Sequence, residues 1–133
     1  MTEINGQKID KGSSAQHTLA EPRIAENVHG ESDSHFTLDT LYSIIEDRRM
    51  NKKPGSYTTY LFDKGLDKML KKLGEESTEV IIAGKSGSKA DTIYEIADLV
   101  YHAMVLMSQM GITLDDILSE LATRYNTKER SGR

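Results

Sequence analysis

Two pairs of acidic residues stand at a spacing that a helix turns into neighbours. Glu76 and Glu79 are three residues apart, with Glu75 beside them, and Glu95 and Asp98 repeat the same step. Residues three apart on a helix share a face. If the two helices pack as an antiparallel hairpin, the carboxylates of Glu76, Glu79, Glu95 and Asp98 converge. Four close carboxylates repel; at an effective dielectric near 20, each pair at about 4 Å costs on the order of 4 kcal/mol. Protons, basic residues or a metal must offset that. Hard carboxylate oxygens, with no thiolate and few imidazoles, suit Mg²⁺ or Mn²⁺ rather than Zn²⁺. Mg²⁺ characteristically keeps several waters and meets phosphate oxygens, which suits a nucleotide polyphosphate.

Plainer readings compete with this one. Acidic pairs three apart also mark ordinary solvated helix faces, and Glu76 with Glu79 alone reads that way. Lys71, Lys72 and Lys85 can form surface ion pairs with these acids, worth under about 1 kcal/mol each. The plain reading is weaker for Glu95 and Asp98. Their helix has one broad apolar face made by Ile93, Ile96, Ala97, Val100, Met104 and Met107, extended by Leu99, Ala103 and Leu106. A helix this apolar is expected to be largely buried. Glu95, Asp98 and His102 form its one polar stripe, and buried acids need partners. His102 taken alone is more often a packed or capping histidine than a ligand. Gly84-Lys85-Ser86 resembles the end of a phosphate-binding P-loop, but the required first glycine falls on Glu79 and no strand precedes it.

The elements that hold these residues read as helices. Thr37 is the expected N-cap of TLDTLYSIIEDRR, whose apolar stripe is Leu38, Leu41, Tyr42, Ile44 and Ile45. Pro54 and Gly55 stop it. A short helix is expected from about Thr58 to Lys64. The next spans about Leu66 to Ala83, with Leu66, Met69, Leu70, Leu73, Val80 and Ile81 at 3,4 spacing, and Gly84 with Ser86–Ser88 breaking it. Gly74 inside it predicts close backbone approach, since glycine there costs about 1 kcal/mol relative to Ala. Ser88 and Asp91 open a helix over Lys89 to Met110, ended by Gly111. Thr113 and Asp116 open a last one, LDDILSELATRY. No segment alternates with period two. The expected class is all-α: a mobile tail over residues 1–35, a helical domain over 36–127 and a basic tail over 128–133. In the basic run Arg124, Lys128, Arg130 and Arg133, charge complements a helix C-terminus.

Composition narrows the function. A formal net charge of −4 argues against a non-specific nucleic-acid binder. The absence of cysteine excludes disulfides, thiolate zinc sites and cysteine nucleophiles. No run reaches the roughly 18 apolar residues of a membrane span, and the N-terminus has no signal-peptide region. A cytoplasmic protein is the expectation. A core of about 95 residues is small, and its central helix is apolar over more of its girth than one hairpin covers. Pairing two hairpins into a four-helix bundle in a homodimer or larger assembly buries the rest.

KKLGEESTEVIIAGK (Lys71 to Lys85) followed by YEIADLVYHAMVLM (Tyr94 to Met107) resembles the phosphoribosyl-ATP pyrophosphatase family, as do LYSIIEDRR (Leu41 to Arg49) and SYTTYLFDKG (Ser56 to Gly65). The likeness covers about Thr37 to Tyr125. GEExxE followed by ExADLxYH, behind an SYT segment, is far more specific than a bare ExxE and ExxD. The family sits among the all-α nucleoside triphosphate pyrophosphohydrolases with MazG-like enzymes and dimeric dUTPases. The resemblance implies Mg²⁺-assisted attack of water on phosphoribosyl-ATP, giving phosphoribosyl-AMP and pyrophosphate in the second step of histidine biosynthesis. It implies Glu76, Glu79, Glu95 and Asp98 as metal ligands and Glu75 as a neighbouring, proton-accepting acid. Ser56, Tyr57, Lys72, Lys85 and His102 are the expected substrate contacts. Ser77 stands where a small residue such as Ala is common. Residues 1–35 lack the cysteines of the zinc cyclohydrolase to which this enzyme is fused in some organisms, so only the pyrophosphatase step is expected. The rivals are a house-cleaning pyrophosphohydrolase of non-standard nucleoside triphosphates, and a non-catalytic helical dimer that binds metal or a partner.

Overall fold

Thr37 starts the first helix as its residue type predicts. Its hydroxyl accepts a bond from the Thr40 amide at 3.2 Å, and the Thr40 hydroxyl accepts from the Thr37 amide at 3.4 Å. Two donors that a helix start leaves bare are satisfied at once. This computed structural model describes the backbone of residues 35–131 and the side chains of residues 35–126. Apart from His35, the expected tail over residues 1–35 lies outside them. The order is α1 (Leu38–Met50), α2 (Tyr57–Lys64), α3 (Leu66–Ser86), α4 (Lys89–Met110) and α5 (Leu114–Ser131), with no strand among the described residues. The all-α class is therefore as expected.

The boundaries follow local chemistry. Ser56 caps α2, accepting from the Thr59 amide at 3.3 Å. The α3 helix runs through Gly84, where the sequence suggested a break, and stops at Gly87. An interior glycine weakens a helix but leaves its hydrogen bonds intact; Gly87, at φ 78°, adopts the left-handed conformation that ends one. Ser88 then caps α4 through the Asp91 amide at 3.2 Å. Gly111, also left-handed, ends α4. Thr113 and Asp116 cap α5 reciprocally, at 3.1 and 2.8 Å. The α5 backbone continues to Ser131, through most of the expected basic tail; Arg124 pairs with Glu120 at 2.7 Å.

A two-residue link, Gly87 and Ser88, folds α3 back on α4 as an antiparallel hairpin, the largest helix contact in the subunit. The core lies on it: Leu41 and Ile45 from α1, Leu61 from α2, Met69 from α3, and Tyr101, Met104 and Val105 from α4. All but Met69 come from α1, α2 or the C-terminal half of α4. Burial of α4 is therefore confined to that half. At the other end of the hairpin Ile81, Ile82, Ile93 and Ile96 are exposed. The close approach expected at Gly74 is not found within the subunit, where an added Cβ would meet nothing within 4 Å.

Glu46 fastens α1 to α4. It accepts from Arg49 at 2.6 Å and from the Ser108 hydroxyl at 2.5 Å. The Arg49 hydrogen bond, aided by Ser108 and opposed by burial, holds its carboxyl below the ordinary glutamate value. A depressed folded-state pKa stabilises the fold above the ordinary carboxylate range, and this contribution is lost as pH falls through the depressed value. Glu46→Gln is thus expected to flatten the loss of melting temperature between about pH 5 and pH 3. A thermal scan across that range checks it, and an unchanged acid limb would contradict it.

Candidate metal centre

The inner face of α3 carries Met69, Lys72, Glu76 and Ala83, all buried against the hairpin partner. Across from it, Glu95 and Asp98 are half-buried on α4. One carboxylate oxygen from each of Glu76, Glu95 and Asp98 lies within 4.8 Å of the other two. The hairpin register brings them together: residues in the first half of α4 oppose the middle of α3.

A cation is already built into the cluster. The Lys72 ammonium sits 2.9 Å from one Glu76 oxygen and 3.4 Å from Glu75. Lys72 is 6 % exposed and Glu76 4 %. Removing Lys72 would leave the buried Glu76 charge without this counter-charge, so the pair stands far above a surface ion pair in consequence. Three carboxylates and one ammonium give a formal charge of −3 + 1 = −2, which a divalent cation would balance. The donors are hard oxygens only, the set that suits Mg²⁺ or Mn²⁺. On an octahedral Mg²⁺ with bonds near 2.1 Å, adjacent oxygens lie about 3.0 Å apart, so the three carboxylates would have to draw in from their spread of up to 4.8 Å to share one ion. The residues present fit such an ion.

The other sequence candidates fall differently. Glu79 is exposed and outside the trio, because three residues of helix turn it about 60° away from Glu76. Glu75 is exposed and paired with Lys72 and, at 3.9 Å, Lys71. Lys72, expected to meet substrate, sits instead at the base of the cluster. Lys85 is exposed in the last turn of α3. Nine residues of helix put it about 13.5 Å along the axis and on the opposite side from Glu76, so it does not join this site within the subunit. The Ser56 hydroxyl accepts from the Thr59 amide as the cap of α2. His102 is no surface contact: it is 2 % exposed, with Nδ1 2.8 Å from the Asp98 carbonyl and Nε2 3.2 Å from the Tyr57 hydroxyl. A ring bonded at both nitrogens in the core is a structural histidine by placement.

Sequence reasoning missed Thr58 and Tyr101, whose hydroxyls meet at 2.5 Å and join α2 to α4 a second time. The available signal was Tyr101 beside His102 on the buried side of α4, opposite an SYT segment with hydroxyls to spare.

Comparison with known proteins returns one family over the helical part of the chain. The family model described as phosphoribosyl-ATP pyrophosphohydrolase matches residues 38–125. The phosphoribosyl-ATP pyrophosphatase of Lacticaseibacillus casei is 54 % identical over 94 residues, 71 % of this chain and 86 % of that one. The protein of the same name in Clostridium botulinum is 59 % identical over 87 residues, 65 % of this chain and 79 % of that one. The histidine biosynthesis bifunctional protein HisIE of Caldanaerobacter subterraneus is 56 % identical over 88 residues, covering 66 % of this chain. The aligned part spans only 43 % of that longer protein.

Lys72→Met is expected to destabilise the metal-free chain by about 3–5 kcal/mol, because it strands Glu76 without its counter-charge. Adding Glu76→Leu should recover most of that loss. Urea denaturation of both variants checks it; a single-variant cost below about 1 kcal/mol would mark the pair as an ordinary surface bridge.

Proposed function

This chain belongs to the phosphoribosyl-ATP pyrophosphohydrolase family, and from that premise we infer that it hydrolyses phosphoribosyl-ATP to phosphoribosyl-AMP and pyrophosphate, a step of histidine biosynthesis, on a divalent metal held by Glu76, Glu95 and Asp98. The observation that carries the reading is the convergence of those three carboxylates from two helices, inside the matched segment. A bound Mg²⁺ or Mn²⁺ supplies Lewis acidity to the phosphoryl oxygens and offsets the charge of the departing pyrophosphate. The chain supplies the rest. Glu76, Glu95 and Asp98 orient the ion from a partly dry floor. Glu75, 3.4 Å from the Lys72 ammonium, would remain its partner with Glu76 engaged by an ion. Glu79, exposed one turn on, would be a further ligand of the ion or the base that accepts a proton from the attacking water. A cytoplasmic location follows from the nucleotide substrate.

The functional unit in this reading is a homodimer. On α3, Leu70, Gly74, Ser77 and Ile81 recur at alternating four- and three-residue steps, and Leu70 and Ile81 are 47 % and 71 % exposed. That is the seam spacing of helix-on-helix packing. On α4, Ile93 and Ile96 are likewise uncovered. A second hairpin laid on these rows completes a four-helix bundle, and Gly74 then has the close neighbour it lacks within the subunit.

The direct test is pyrophosphate release from phosphoribosyl-ATP with Mg²⁺, Mn²⁺ or chelator, beside a panel of ordinary and damaged nucleoside triphosphates. Metal-dependent release from phosphoribosyl-ATP is expected. Glu76→Gln, Glu95→Gln and Asp98→Asn should each lower kcat at least about 100-fold, since even outer partners of a metal cost 10- to 100-fold, while helical circular dichroism stays intact. Activity confined to the other triphosphates would overturn the substrate. For assembly, sedimentation should find a dimer that Ile81→Asp dissociates; the variant would stay wild-type in size if Ile81 merely faces water.

A further inference from the structure

We propose that His102 is a positioning residue: it clamps the first turn of α2 to the turn of α4 that carries Asp98, so that the Tyr57 segment and a metal ligand are held in one fixed relation. The proposal rests on the metal-centre reading above. Its basis is the bonding at the two ends of a single buried ring. Nδ1 lies 2.8 Å from the backbone carbonyl of Asp98, one helical turn earlier. A carbonyl oxygen only accepts, so Nδ1 carries the proton and donates. In the neutral ring Nε2 is then an acceptor, and the Tyr57 hydroxyl, 3.2 Å away, donates to it. The chain of bonds thus runs in one direction, from Tyr57 through the imidazole into the Asp98 turn.

The ring is also held in orientation. Tyr101 and Tyr57 pack against it edge-on, at centroid distances of 5.0 and 5.9 Å and interplanar angles of 79° and 78°. Thr58 and Tyr101 make a second tie between the same two turns. An apolar side chain of similar size would fill the space and let α2 slide on α4 by fractions of an ångström. A two-ended polar link does not, because each displacement breaks a buried hydrogen bond. That is the arrangement by which neighbouring groups orient ligands at metal sites, acting here through the backbone of the ligand rather than its carboxylate.

Mn²⁺ binding to the full chain without substrate, followed by electron paramagnetic resonance, tests this together with thermal unfolding. Tyr57→Phe deletes the donor at one end. His102→Asn keeps an amide near the Nδ1 position but cannot reach Tyr57. Each is expected to weaken Mn²⁺ binding about tenfold, and the double variant to be no weaker than the worse single one, because both cut the same link. Ile45→Ala, in the core under α1, serves as control: it lowers melting temperature and leaves Mn²⁺ affinity unchanged. Nitrogen-15 spectra should show His102 protonated at Nδ1. Wild-type Mn²⁺ affinity in folded Tyr57→Phe and His102→Asn, or a proton on Nε2 alone, overturns the positioning role and leaves the metal centre standing. No Mn²⁺ binding by the wild-type chain overturns both.

Discussion

Like charge between two helices is the constraint around which this subunit is organised. The hairpin of α3 and α4 must bury acidic groups at its waist, because Glu76, Glu95 and Asp98 face one another there. Like charge alone would drive such helices apart. Lys72 resolves the conflict from within: it is buried one turn from Glu76 on the same inner face, with its ammonium 2.9 Å from the Glu76 carboxylate. The remaining elements then support the hairpin at one end. Leu41, Ile45 and Leu61 pack α1 and α2 over the C-terminal half of α4, and Glu46 and Tyr42 add polar fastenings to Ser108 and to the Ile112 carbonyl.

That division of labour leaves the opposite end of the hairpin bare. Four isoleucines there, together with Ile117, Leu118 and Leu121 on α5, are more exposed apolar surface than a monomer of this size usually shows. The α5 helix, with caps at its start and apolar residues at helical spacing, has the pattern of a helix made to be covered. In the proposed homodimer, acids at the waist and apolar rows at the tip would be parts of one arrangement: a second hairpin that dried the rows would also exclude water from the side of the carboxylate cluster.

Much of this was legible in the residues. The helix starts at Thr37, Ser88 and Thr113 and the stop at Gly111 are local chemistry, and local chemistry decides them. The convergence of Glu76, Glu95 and Asp98 was legible because a two-residue link leaves a hairpin little choice of register. Glu79 falls outside the trio because a three-residue step defines a shared face only to within about 60°. Lys72 reads as a phosphate contact or a surface ion pair, and His102 as a substrate contact or a packed histidine. Their residue types suggest contact with ligand, but burial is a property of the packed pair of helices, and only the fold reveals that both side chains point inward. Gly84 was read as a breaker because interior glycine and terminal glycine look alike until the sign of φ is known.

The placement of Lys72 bears on how folding and metal binding are related. Sites that consist of ligands alone are commonly folded only when loaded, since the unfolded chain holds no preformed cage and the binding energy is spent on folding. Here an internal cation neutralises part of the cluster before any ion arrives, so the hairpin can close unaided. The cluster nevertheless keeps a formal −2, which leaves a divalent ion its full electrostatic reason to bind. Glu75, already within 3.4 Å of the ammonium, gives Lys72 a partner to retain if Glu76 is drawn to metal. A neutral residue at position 72 would bind metal in a fold with less reason to form, and a second buried lysine would form the fold and compete with the metal. One buried lysine beside three acids satisfies both requirements, and the same balance accounts for its burial where a surface lysine would otherwise be expected.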